Sequence, residues 1–146
     1  MLAAVALYLY VSSLWLPAFD CPPNLKSDTG FEVLISGWIA LIFLDVRWLA
    51  NIAFPWLLVI PFFLKAGSRG SYGWLVMPLL TCLLAANSWS GGSMAGCGMS
   101  AGTSIGSDGL GEGGIFWVQA LVLASVAFTF RLVTSYIPPP RTQRKW

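Results

Sequence analysis

Apolar residues run in long blocks along this chain, and polar ones collect in the short stretches between them. Residues 1–19 carry no charged side chain, and about nineteen residues rising about 1.5 Å each reach roughly 30 Å, the thickness of bilayer hydrocarbon. The run DCPPNLKSDTG, Asp20 to Gly30, interrupts with turn residues and charges and predicts a loop. Phe31 to Leu64 is then apolar apart from Glu32 and the pair Asp45 and Arg47. As one helix it would be about 50 Å long, too long for one ordinary span, so something must interrupt it. The basic connection KAGSRGSYG, residues 65–73, leads to a third apolar block, Trp74 to Trp89. Residues 90–114 are rich in glycine and serine and predict a flexible loop. Ile115 to Ile137 is apolar and long enough to span, and Pro138 to Pro140 end it.

Composition decides which solvent these blocks meet. Hydrophobic residues make up 57% of the 146 residues and charged ones 10%, with a mean hydropathy of +0.74. That leaves too little polar surface for a water-soluble globule, so the expected class is an all-α integral membrane protein. The chain has no His, which removes the commonest general base and metal ligand and the usual axial ligand of haem or chlorophyll; no cofactor is expected. A net charge of +2 gives no reason to expect nucleic acid. Met1 to Phe19 lacks a basic leader and an A-x-A cleavage site and reads as a retained helix rather than a signal peptide.

Positive loops favour the cytoplasmic side, which places Lys65 and Arg69, and the tail with Arg141, Arg144 and Lys145, inside. The expected topology has four spans, at about 1–19, 47–64, 74–89 and 115–137, forming a single membrane domain with an external loop at 90–114 and a cytoplasmic tail at 138–146. Residues 31–46 become an interfacial or re-entrant segment, and Asp45, Arg47, Trp48 and Asn51 mark the outer boundary. The alternative has five spans, with Asp45 and Arg47 in a tight outer hairpin. Either arrangement keeps the charged pair away from the bilayer centre, where each charge costs about 2.5–3.5 kcal/mol on insertion scales.

TGFEVLISGWIALIFLDVRWLANIAFPWLL, with its G-W-x-x-L core and W-L-A-N segment after a loop containing Cys and Pro, resembles a pattern in small, uncharacterised four-span bacterial inner-membrane proteins. GGIFWVQALVLAS resembles the start of the last helix in that family. Asn51 is followed here by Ile52 where the pattern has proline. The resemblance implies a four-span protein of the bacterial inner membrane and brings no established activity; the basic tail, by its charge, places the C-terminus in the cytoplasm.

Candidate chemistry is sparse. Met94, Cys97 and Met99 offer soft sulfur ligands that suit Cu(I), although thioethers in a flexible loop serve equally as plain loop residues. Cys21 and Cys97 fall on the same oxidising side in the four-span arrangement and form a candidate disulfide, while Cys82 reads as a small buried side chain. The glycines of 91–114 lack a G-K-[ST] and a preceding strand, which removes a phosphate cradle. Glu32, Asp45 and Arg47 could relay ions or protons or simply mark the boundary. No nucleophile and base pair is present. The expectation is therefore a non-enzymatic accessory or structural subunit, bounded by membrane lipids and joined to other membrane proteins. An oligomeric transporter or channel and an immunity-type protein are the alternatives.

Overall fold

A computed structural model describes residues 1–21, 26–36, 38, 46–63, 73–89 and 109–136, without the side chains of Arg47, Ser88, Trp89, Ser135 and Tyr136. The described residues are mostly helical, in five α-helices: α1 (Leu2–Ser13), α2 (Gly30–Ser36), α3 (Leu49–Phe63), α4 (Val76–Trp89) and α5 (Glu112–Tyr136). Short 3-10 turns at Val46–Trp48 and residues 73–75 lead into α3 and α4. Of these helices, α5 alone has the length and apolar composition to cross a membrane; α1, α3 and α4 are apolar but shorter.

Around α5 the other long helices assemble: α1, α3 and α4 all pack on it, and α3 also packs on α4. Small side chains permit this close approach. Ala6, Ala50, Ala85, Ala120 and Ala124 are fully enclosed, and Phe54, Leu57, Leu121 and Phe128 fill the space between them. Direction follows from contacts at the two ends. Tyr10 near the end of α1, Asn51 near the start of α3 and Trp117 near the start of α5 meet at one level. Farther along α3 and α5, Arg131 lies over the Phe62 ring at 5.6 Å. Hence α3 runs parallel to α5 and α1 antiparallel. Hydroxyls in the bundle satisfy themselves within their own helices: Thr81 donates to the Met77 carbonyl at 2.8 Å and Thr129 to that of Ser125 at 2.9 Å.

The bundle ends in a compact cap. Strands β1 (Phe19–Asp20) and β2 (Gly109–Leu110) pair antiparallel, Phe19 opposite Leu110, and Pro17 bridges to Thr29. Three helix ends converge here and satisfy one another's free backbone groups. The α2 amides of Gly30 and Phe31 donate to the carbonyls of Leu16 (3.1 Å) and Leu14 (2.9 Å), just past α1. Leading into α5, the Gly111 and Gly113 amides donate to Ala18 (3.0 Å) and Pro17 (2.8 Å). Groups at helix ends that would otherwise be left without partners are thereby paired.

Several expected boundaries move. The first apolar block is helical only to Ser13, because residues 14–18 turn away to supply the carbonyls that the cap consumes. The last helix starts at Glu112 instead of 115, and Gly109 to Gly114, expected within a flexible loop, form a strand and the first turn of a helix. Their glycines serve close contact: a Cβ on Gly113 would sit 2.8 Å from the Leu16 carbonyl oxygen. The strictly all-α expectation also gives way to this two-stranded sheet. The interfacial segment is helical at 30–36 and at residue 38. Residues 39–45, 64–72, 90–108 and 137–146, and with them the expected loop charges and cytoplasmic tail, lie outside the described residues.

Candidate functional site

Asn51 is the polar centre of the bundle's capped end. Its Oδ1 accepts from the Tyr10 hydroxyl at 3.0 Å and from the Trp117 indole Nε1 at 2.7 Å, so one amide oxygen ties α3 to both α1 and α5. Tyr10 is positioned for this by stacking on Phe54, with ring centroids 4.1 Å apart and planes 9° from parallel. Phe54 follows Asn51 by three positions, so both face the same side of α3. Pro55 lies inside α3 and has no N–H to give the Asn51 carbonyl, which loses its ordinary i+4 donor.

Trp48, one turn before Asn51, donates its indole N–H to the Leu34 carbonyl at 3.0 Å and holds α2 against the start of α3. At the head of α2, Thr29 and Glu32 form a reciprocal cap. The Thr29 amide donates to Glu32 Oε2 at 2.7 Å and the Glu32 amide to Thr29 Oγ1 at 3.3 Å. The Thr29 amide bond, followed by that of its hydroxyl, holds the Glu32 carboxyl below its ordinary value. Glu32 is thus a helix-capping group here, with Lys26 near enough to act on its charge.

The other boundary residues divide. Arg47 has its backbone in the 3-10 turn before α3 and its side chain outside the description; Asp45 lies wholly outside the described residues. Cys21 follows β1 and is disulfide-bonded, while Cys82 is free and half-buried. Cys97, the expected partner of Cys21, and the sulfur set Met94, Cys97 and Met99 lie outside the described residues. Among the described residues no group of three His, Cys, Asp or Glu could hold a metal ion.

No family model, curated protein or solved structure matches this chain. What the site can do must therefore be read from its own groups. Those at the Asn51 node are neutral and aromatic, suited to fixing helices and to hydrogen bonding, with no nucleophile beside a base. Pattern reading singled out Asn51 and Trp48 but missed Tyr10 and Trp117 as the partners of Asn51, since nothing in local spacing reports contacts 41 and 66 residues apart. The cap was legible as T-x-x-E before an apolar run, Thr29 to Glu32.

Proposed function

We propose that the chain is a multi-pass protein of the bacterial inner membrane, crossing four times, that works without catalysis as an accessory or structural subunit of a larger membrane assembly. The observation that carries this reading is the large apolar surface that the described helices leave uncovered. Alanines with Phe54, Leu57, Leu121 and Phe128 fill the centre, while Leu7, Trp56, Phe62, Phe63, Leu79 and Phe130 lie between 48% and 79% exposed. Water would penalise such a surface at about 25 cal/mol per Å², whereas lipid tails or neighbouring helices would cover it without that cost.

With their leading 3-10 turns, α3 and α4 cover residues 46–63 and 73–89, near the lower length for crossing hydrocarbon. The resemblance of the GW…WLAN stretch to four-span bacterial proteins supports the same count and compartment. Arg131, exposed near the end of α5, has a stem that can follow apolar surface while its charge reaches the interface. The expected disulfide between Cys21 and Cys97 fits this orientation, and Cys21 is a bonded cysteine. Such a bond belongs on the oxidising side of the membrane.

Native mass spectrometry after extraction in mild detergent tests the role. An accessory subunit comes out at fixed stoichiometry with larger membrane proteins. A lone monomer overturns the reading, and a homo-oligomer that conducts ions in liposomes would make the chain a channel instead.

A further inference from the structure

Charge is sorted along the bundle. Asp20, Asp28, Glu32 and Glu112 all belong to the capped end. Asp45 and Asp108, the remaining acids of the sequence, directly precede Val46 and Gly109, which belong to that end too. Arg131 lies nineteen residues beyond Glu112 on α5, about 28 Å along the helix axis. That distance is several times the screening length of about 8 Å in physiological salt, so no Asp or Glu of the chain neutralises Arg131. What the guanidinium does meet is the Phe62 ring of α3, at 5.6 Å. A ring face attracts and orients a cation without taking up its charge. The planar fork of N–H donors is left to fit two oxygens of a phosphate.

We infer that Arg131, at the end of the bundle away from the cap, holds the phosphate of an anionic phospholipid whose acyl chains lie on the apolar surface beside it. Phe62, beneath the guanidinium, and Phe130, its neighbour in sequence, are 74% and 65% exposed. Val122 and Val126 carry the same exposed line along α5 toward the cap at steps of four, one face of the helix. An unneutralised cation at the head of an apolar stripe matches an anionic head on apolar tails, whereas free phosphate has no use for the stripe. A zwitterionic headgroup brings its own ammonium, which Arg131 repels, so net negative charge is favoured. The inference rests on the membrane reading above, in which the length of α5 between Glu112 and Arg131 matches the roughly 30 Å of hydrocarbon and Arg131 falls at the cytoplasmic headgroups.

The full chain in mild detergent is given equal amounts of phosphatidylglycerol and phosphatidylcholine with the same acyl chains, and the lipids that stay bound are counted by native mass spectrometry. The wild-type chain should retain phosphatidylglycerol in excess, and Arg131→Gln should lower that preference about fivefold. Lys26→Gln removes the same charge at the capped end and should leave the preference as it was. Equal retention of the two lipids by the wild-type chain, a preference that Arg131→Gln does not change, or an equal loss from Lys26→Gln overturns the inference. Should Arg131→Gln lose its helical circular dichroism, Arg131→Lys takes its place. It keeps the charge without the planar fork and should lower the preference by a smaller factor; an unchanged preference there also overturns the inference. A chain that holds neither lipid and stays in solution once detergent is removed overturns the membrane reading instead.

Discussion

Thr29 and Glu32 show how much one pair of side chains fixes at the capped end. Each accepts from the other's backbone amide, and Gly30 between them lies so close to the Ser13 carbonyl that a Cβ there would collide with it. The Glu32 carboxyl is held below its ordinary value in the folded chain by the Thr29 amide and hydroxyl, so its contribution is present above the ordinary value and is lost as pH falls through the lower folded one. Hydrogen exchange at the Val33 amide should therefore accelerate as pH drops below the ordinary carboxylate range, after correction for the intrinsic rate. Thr29→Ala should remove that dependence and weaken the start of α2 by about 1 kcal/mol at neutral pH. A Val33 amide whose corrected protection ignores both pH and the substitution would show that this cap does not hold α2.

At the scale of elements, the start of α5 depends on glycine because it lies against the carbonyls of residues 16–18. Gly113→Ala should cost about 1–3 kcal/mol, the range for overpacking, and lower the melting temperature in detergent. Gly109→Ala, with nothing within 4 Å of its added Cβ, serves as the near-neutral control. The comparison also shows what a sequence can reveal. Long apolar blocks announced helices within 1–19, 47–64, 74–89 and 115–137 because burial and lipid contact both leave continuous apolar runs. Their ends were harder to read. Ser13 closes α1, and Glu112 opens α5, through backbone bonds between segments about a hundred residues apart, which leave no local period. The glycines of 109–114 resemble a flexible linker by composition, yet Gly111, Gly113 and Gly114 each face a backbone carbonyl. Composition cannot distinguish a glycine that permits motion from one that permits contact.

For the whole molecule, the described residues combine fully enclosed alanines with many exposed large apolar side chains, the surface on which the proposed membrane placement rests. Cys21 gives a test of which way the bundle faces. After mild reduction, a membrane-impermeant maleimide added to intact spheroplasts should label Cys21→Ser chains less than wild-type chains. Equal labelling, with Cys21 reached only after the membrane is opened, would reverse the orientation. Asn51 was singled out by its place after Trp48, but its office as the junction of three helices depends on Tyr10 and Trp117, which only the assembled bundle brings to it.

The carbonyls of Pro17 and Ala18 receive the Gly113 and Gly111 amides, and this sets a timetable for biosynthesis. A ribosome making the chain from its first residue must release nearly a hundred further residues before those two acceptors find their donors. Until then the first helix lacks its main packing surface. Nascent chains stalled before residue 109 should accordingly be degraded faster than those stalled after the final helix has emerged.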